Sequence, residues 1–479
     1  MTDLLASRVF RLDDQTRFAS LSSDSNPIHL DHSFARRTQA GAPIVHGIHT
    51  LVWAANAALH ANPMNVANVT AKFPQPLYLD EVASVRFKNR TDRQIGIEVV
   101  AADTVVALIR LSTEPGKTAA DRRPLAPTSP PLAQPANPAF EELSGQTGAA
   151  AIAEADFDAV FPALASAIGT DGIRALLATS QIVGMMCPGL HSMYAGLSIN
   201  FNVVADRNEA LAFAVGKVDA RFRSLQIDVC GYRTAGRLDA FARLPPPSQA
   251  TMADVSARIS GRPFSGQRSL IVGGSRGLGE VTARIVAAGG GHPVITYRDS
   301  RQQAERVASD ILGAGGSCDI LHYDALLPPG EQLAAIQAVD CCYYFATPKI
   351  FARKSGLYEA EKLRTFLSFY ADGFFDLCAT LVRDRTEKLA MFYPSTVAIE
   401  QGTNTTAEYA MAKSAGETLV RHLNEFMPHI EILSRRLPRI LTDQTATIGV
   451  ASAEGALDVM LPVVYEVQRI ARREPTSLS

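Results

Sequence analysis

Apolar and polar positions keep two different rhythms along this chain, and the change of rhythm divides it. LVWAANAALH at 51–60 reads as a helix, and the runs EVASVRFKNR, QIGIEVVAAD and VVALIRLS that follow alternate and are β-branched enough to be strands. A second stretch repeats the order. A helix is expected near 173–197, then strands in GLSINFNVVA, ALAFAVGKVDAR and QIDVCGYRTAGRLDAFAR. Helix followed by strands, twice and at similar length, predicts two copies of one α+β unit. HGIHT at 46–50 and PGLHS at 188–192 strengthen the echo, each placing Gly-x-His-Ser/Thr where a helix is expected to begin. Beyond residue 265 the pattern changes. RSLIVGG, HPVITYR, CDILHYD, AVDCCYYF, KLAMFYP and EILSRRL are short apolar runs separated by helical stretches, the pattern of βα units around a parallel sheet.

Two proline-rich breaks set the boundaries: residues 114–138, with little apolar content and no period, and LPPPSQ at 244–249. The expected order is a first unit over 1–113, a linker over 114–138, a second unit over 139–250 and a third over 265–479. A chain of 479 residues accommodates three such domains. The formal net charge of −2 and the lack of a basic block argue against nucleic acid as a partner. MTDLLASRVFRLDDQ carries acids where a secretory signal needs a basic region, and no apolar run reaches spanning length, so a soluble cytoplasmic chain away from membranes is expected. Six cysteines without a CxxC pair argue against a disulfide framework or zinc, and no metal site is expected. Cys341 and Cys342 read as small buried residues of a strand.

The third segment carries IVGGSRGLGE at 271–280, which puts Gly273, Ser275, Arg276, Gly277, Leu278 and Gly279 between a strand and a helix. Such a loop turns tightly and presents helix N–H groups to a pyrophosphate. Arg298 follows the second strand and Asp324 the third, and Ala346 lies after the fourth. Tyr409 and Lys413 form a YxxxK pair on one helix face, where an ammonium is expected to lower the phenol's pKa. Upstream, Ser395 and Thr396 supply hydroxyls at a strand end. In this order the motifs resemble the short-chain dehydrogenase/reductase family over about 265–450. The resemblance implies a Rossmann-type doubly wound parallel sheet, Tyr409 as proton donor and Lys413 on the nicotinamide ribose. Thr396 or Ser395 would hold the substrate carbonyl. Arg276 and Arg298 suit a 2′-phosphate, which favours NADPH. Three positions depart from the family: Val272 before the first glycine, FATP at 345–348, and Tyr370 in place of an asparagine.

Near the N-terminus, SSDSNPIHLDHSFA (22–35) precedes VHG (45–47) and, later, AKFPQPLYLDEVASVRF (71–87). An acid and an imidazole five residues apart on a proline-stiffened loop suit a reaction that handles both a water and an acidic proton. These residues resemble the MaoC-like hydratase/dehydratase group of the hotdog superfamily. By that resemblance Asp24 and His29 are the catalytic pair, Asn26 holds or positions them, and the Gly47 N–H binds the thioester carbonyl. His46, His49 and His191 read as packing or hydrogen-bonding residues, Asp31 and His32 as capping and surface residues, and Cys187 as a buried thiol rather than a nucleophile. The second unit lacks the acid–base stretch and is expected to be a non-catalytic half that extends the sheet and forms the acyl pocket.

The fold class expected is therefore an α+β double hotdog followed by an α/β Rossmann-type domain. Both chemistries act at the β-carbon of an acyl thioester, on CoA or an acyl-carrier protein. The leading expectation is a bifunctional NADPH-dependent 3-oxoacyl-thioester reductase and (R)-3-hydroxyacyl-thioester dehydratase in acyl-chain biosynthesis. Alternatives are the catabolic direction, hydration then oxidation, and a synthase-associated protein with one active half. A thioesterase is disfavoured by the Asp24/His29 spacing. A homo-oligomer is expected by resemblance.

Overall fold

The computed structural model describes residues 4–116, 132–203, 209–350, 358–401, 406–440 and 454–472. The chain divides into two compact units at Pro245/Pro246. Most of the expected linker, 117–131, lies outside the described residues, while Ala136 is tied to the second half, donating to Met185 O at 2.8 Å and accepting from Leu190 N at 2.8 Å.

The first unit is built on a ten-stranded antiparallel sheet. Its first half holds β1 (Leu4–Val9), the helices α1 (Leu12–Ser22) and α2 (Gly47–Ala61), then β2 (Asn68–Lys72), β3 (Val82–Thr91), β4 (Gln94–Ala101) and β5 (Thr104–Ser112). The second half holds β6 (Thr147–Ala150), α3 (Pro162–Gln181), β7 (Ser192–Asn200), β8 (Leu211–Asp219), β9 (Ser224–Gly231) and β10 (Thr234–Ala242). The halves join edge to edge where β2 pairs β7, with Asn68 opposite Asn200 and Lys72 opposite Gly196. Gly196 is required there, since a Cβ would lie 2.6 Å from Ala71 O. The helices α2 and α3 pack against each other and the sheet. Alanines at 54, 55, 58, 175 and 178, all fully buried, let their backbones approach, while Ile48, Leu51, Leu176 and Leu177 fill the core. Each such large side chain contributes about 1.5–3 kcal/mol of burial free energy.

The expected second helix, 173–197, starts near the expected place, after a break at Gly169 (φ 72°), and ends earlier. A preceding stretch of α3 begins at Pro162, where Asn56 of α2 caps it by accepting from Ala163 N at 3.0 Å and Leu164 N at 3.1 Å. The helix ends in a π turn over Ile182–Met186. PGLHS therefore follows the helix and leads into β7, unlike HGIHT, which opens α2. The physical reason is Pro188 followed by Gly189 at φ 76°, whose Cβ would lie 2.2 Å from Ala136 O. No helix passes through that pair.

The second unit has six parallel strands: β11 (Arg268–Val272), β12 (His292–Tyr297), β13 (Asp319–His322), β14 (Cys341–Tyr344), β15 (Leu389–Thr396) and β16 (Ile430–Leu437). Their order is β13-β12-β11-β14-β15-β16, the doubly wound Rossmann arrangement. Helices α4 (Gly277–Ala288), α5 (Arg301–Gly313), α6 (Ala360–Leu367), α7 (Gly373–Val382), α8 (Ala407–Phe426) and α9 (Ala456–Arg472) accompany the sheet. The run Ala360–Val382, comprising α6, a π turn and α7, is by length and composition apolar enough to cross a membrane, longer than the sequence reading allowed. Phe366, Phe369, Tyr370, Phe374, Leu377 and Cys378 from it are buried in the core beside β11, β14 and β15, which accounts for its apolar character.

Candidate active sites

In the first unit, α1 ends at Ser23 in the left-handed region (φ 54°), and the chain turns inward to bury Asp24 at 2 % exposure. Asp24 Oδ1 accepts from Asn26 N at 3.2 Å, and Oδ2 accepts from Ser180 Oγ of α3 at 2.7 Å. Asn26 ties the loop to the second half, donating from Nδ2 to Gly184 O at 2.7 Å and Gly189 O at 3.1 Å. Its Oδ1 also caps the one-turn helix Pro27–Leu30 through Ile28 N at 3.1 Å. His29, on that turn, meets Ile44 O through Nδ1 at 2.8 Å. A carbonyl only accepts, so Nδ1 carries the proton and Nε2 is left with its lone pair. Asp31 caps the next turn through Ser33 N and Phe34 N, and His32 is exposed.

Nitrogen and carboxylate atoms of Asp24, His29 and His46 lie within 4.8 Å of one another. His46 stacks on His29 with centroids 3.7 Å apart, and its ring nitrogens face two acceptor oxygens, Gln15 Oε1 2.9 Å from Nδ1 and Asp24 O 3.0 Å from Nε2, of which the neutral imidazole donates to one. His49 stacks on Phe18 in the core. Cys187 is buried, and burial pushes its thiol up to about 12.

Asp24, His29, Gly47, Ser180 and Gly184 line a cavity of about 240 Å³ whose other walls include Phe73, Pro76, Leu77, Val106, Val183 and Phe241. The Gly47 N–H belongs to the first turn of α2, where backbone donors have no partner within the helix. Burial raises the Asp24 carboxyl above its ordinary range, against the pull of His29, Ser180 and Asn26. Burial, then His46, push His29 down to about 3, with Asp24 opposing. Acid and base are thus displaced in opposite directions.

In the second unit the glycine loop joins β11 to α4 with Gly273 at φ 77° and Gly277 at φ 56°. A Cβ at Gly279 would lie 2.2 Å from Gly273 O, so only glycine lets the helix approach the loop. Arg276 stands at the N-cap without a side-chain cap bond, leaving the first-turn N–H groups to an anion. These residues fit a dinucleotide diphosphate. Ser275 and Leu278 belong to the same turn, and Ala346 follows β14 beside Gly273. Arg298, after β12, is held bidentately by Asp299 at 2.9 and 2.9 Å. Asp324 accepts from Leu326 N at 3.0 Å and so shapes the turn after β13.

Tyr409 and Lys413 share a face of α8, but the expected lowering of the phenol by the ammonium does not occur. Burial holds Tyr409 above its ordinary value, opposed by a hydrogen bond with Thr396. Lys413 donates to Pro394 O at 2.6 Å and lies over the Tyr370 and Tyr393 rings at 3.9 and 4.8 Å. Ser395 is drawn away, donating to Glu417 Oε1 at 2.5 Å. Ser395 is thus committed to Glu417, and Thr396 is the hydroxyl that acts on Tyr409.

Residues 4–108 match the family model of the MaoC like domain. This part of the chain is a MaoC-like domain. No curated protein matches the chain. Among solved structures it is similar to a 3-oxoacyl (acyl-carrier-protein) reductase from Agrobacterium tumefaciens with NADP bound, at 18% identity over 43% of this chain and 88% of that one, TM-score 0.38. A gluconate 5-dehydrogenase from Burkholderia cenocepacia in complex with NADP and tartrate matches at 20% identity over 43% and 90%, TM-score 0.39. The landomycin C-6 ketoreductase LanV with bound NADP and rabelomycin matches at 16% over 45% and 94%, TM-score 0.40.

Two residues that complete the MaoC-like site lie outside the matched segment. Ser180 bonds the Asp24 carboxylate, and Gly184 makes room for it, since a Cβ there would lie 2.2 Å from Asp24 Oδ1. The half expected to be non-catalytic thus touches the acid. In sequence Ser180 is one hydroxyl in the helical ALLATSQIVG, with nothing to mark its face.

Proposed function

We propose that the chain is a bifunctional 3-oxoacyl-thioester reductase and (R)-3-hydroxyacyl-thioester dehydratase, acting on CoA or carrier-protein thioesters in acyl-chain biosynthesis. The observation that carries this reading is the pair Asp24 and His29 on the wall of an apolar cavity, with proton affinities displaced in opposite senses. Burial favours the protonated form of Asp24 and leaves His29 neutral. In dehydration the Nε2 lone pair of His29 takes the α-proton while the Cα–H electrons form the new double bond. Asp24 gives its proton to the β-hydroxyl, which leaves as water as the Cβ–O bond breaks. Return of the proton from His29 to Asp24 restores the pair. The Gly47 N–H donates to the thioester oxygen as negative charge gathers on it. Ser180 keeps Asp24 oriented, and the apolar walls hold the acyl chain.

The glycine loop would hold NADPH, with Arg276 and Arg298 suited to its 2′-phosphate, and the cofactor would supply hydride for the 3-oxo carbon. The chain's own part is to hold that carbonyl with Thr396 and deliver a proton to its oxygen from Tyr409. The 3-hydroxyacyl product is the substrate of the MaoC-like domain.

The test is incubation with acetoacetyl-CoA and NADPH, following the cofactor's absorbance and identifying products by mass. Loss of NADPH with an enoyl product, replaced by the hydroxyacyl product in Asp24→Asn, supports both steps. No NADPH loss, with crotonyl-CoA hydration abolished by His29→Ala, leaves a hydratase and removes the reductase claim.

A further inference from the structure

Two departures from the resembled reductase family, FATP at 345–348 and Tyr370, are bonded to each other. Thr347 Oγ1 lies 2.5 Å from Tyr370 Oη and 3.0 Å from Pro348 O. The carbonyl takes the threonine proton, so Tyr370 donates and Thr347 accepts. The Tyr370 ring stacks on Phe366 and meets Tyr409 edge-on at 5.8 Å. Its face lies 3.9 Å from Lys413 Nζ, with the Tyr393 ring a second face at 4.8 Å. The Tyr393 hydroxyl donates to Tyr370 O at 3.0 Å, so that carbonyl is occupied. Gly416 makes this possible, because a Cβ there would lie 1.8 Å from Tyr393 Oη. Glu417, one turn beyond Lys413, is the carboxylate that acts on the ammonium, and Arg436 and Ser395 hold it.

We propose that Tyr370 is a positioning residue: anchored by Thr347, its ring clamps the Lys413 ammonium against Tyr393 and so places it for the reductase. An aromatic face attracts a cation most strongly where water is excluded, and Tyr370 is 1 % exposed. The clamp joins the two departures, FATP and Tyr370, in one set of contacts around Lys413. Its catalytic meaning rests on the reductase reading; the placement of Lys413 does not.

The test uses the full chain labelled with 15Nζ-lysine, titrated by NMR, together with NADPH oxidation on acetoacetyl-CoA. Tyr370→Phe keeps the ring and loses the anchor; Tyr370→Leu loses the ring at similar burial. In Tyr370→Leu the ammonium loses its aromatic face, so the Lys413 midpoint falls by roughly one unit, a tenfold loss of proton affinity. Its kcat drops about tenfold, with KM for acetoacetyl-CoA within about twofold. Tyr370→Phe and Thr347→Val each leave the midpoint near wild type, and combining them costs no more than either alone. A Lys413 midpoint in Tyr370→Leu equal to wild type overturns the clamp, and additive losses from Thr347→Val and Tyr370→Phe overturn the anchor. Should Tyr370→Leu not fold, the same midpoint is read in Tyr370→Val. If wild type oxidises no NADPH while Tyr370→Leu still shifts the midpoint, the clamp stands and the reductase reading falls.

Discussion

The MaoC-like site and the Tyr409 site both bury a pair able to move a proton, yet they keep the pair in opposite ways. Asp24 and His29 are held by polar partners, Ser180, Asn26 and Ile44 O, inside an apolar cavity. Lys413 is held by ring faces and one carbonyl, and Tyr409 by the Phe366 and Tyr370 rings with Thr396 acting on its hydroxyl. The difference teaches that burial sets the direction of each shift, while the partners set how well the group is aimed. A hydrogen-bonded carboxylate is fixed in angle; a clamped ammonium is fixed chiefly in place.

The largest expected effect separates the sites. Asp24→Asn lowers crotonyl-CoA hydration by about 10²–10⁴-fold, the usual worth of a general acid or base. NADPH oxidation by the same variant stays at the wild-type rate, and a parallel fall in both activities breaks the comparison. Next comes Gly184→Ala. Its added methyl would lie 2.2 Å from Asp24 Oδ1, so the carboxylate must move. Hydration drops about 100-fold, the cost of a displacement near 1 Å, while circular dichroism stays native. Smaller again is the contrast between two neighbours. Thr396→Val slows ketone reduction roughly tenfold or more, since it removes the partner of Tyr409, and Ser395→Ala changes it by less than about threefold. Equal effects would show that the serine reaches the substrate.

The smallest effect is on stability against pH, and the buried bases give it the same sign in both units. His29, His46 and His49 are pushed from 6.5 down to about 3 in the folded protein, mainly by burial. Between those values the unfolded chain binds more protons, so the first unit loses stability as pH falls from 6.5 towards 3. Lys413 is pushed by burial from 10.5 down to about 7. The second unit therefore gains stability as pH rises from 7 towards 10.5. Asp24 works the other way, because its carboxyl is raised: stability falls as pH climbs from 3.8 towards that raised value, and the penalty is complete above it. Asp24→Asn is accordingly more stable than wild type at pH 8, by about 1 kcal/mol on the scale of a buried polar group. Thermal melts of the full chain at pH 5, 7 and 9 measure all three.

Much of this was legible along the chain because the signals are local. All six runs beyond residue 265 became the strands of the parallel sheet, and Asp24, His29 and Gly47 came to line one cavity. The part of α3 before the break at Gly169 was missed because Asn56, more than a hundred residues away, caps its start, and Pro162 is the one local mark there. Ser180 was missed for a like reason, since a hydroxyl in an apolar helix says nothing about which loop it faces.

The sequence by itself determined the six strand runs of the parallel sheet, the glycines that a tight loop demands, and the spacing that pairs an acid with an imidazole. Those follow from backbone sterics and helical geometry over a few residues. Only the tertiary structure decided that a second half without an acid–base pair still grips Asp24, that Thr396 rather than Ser395 acts on Tyr409, and that Lys413 lies between two tyrosine rings. Each of these depends on groups distant in sequence sharing one buried volume, where exclusion of water makes every unpaired polar atom costly and so selects its partner.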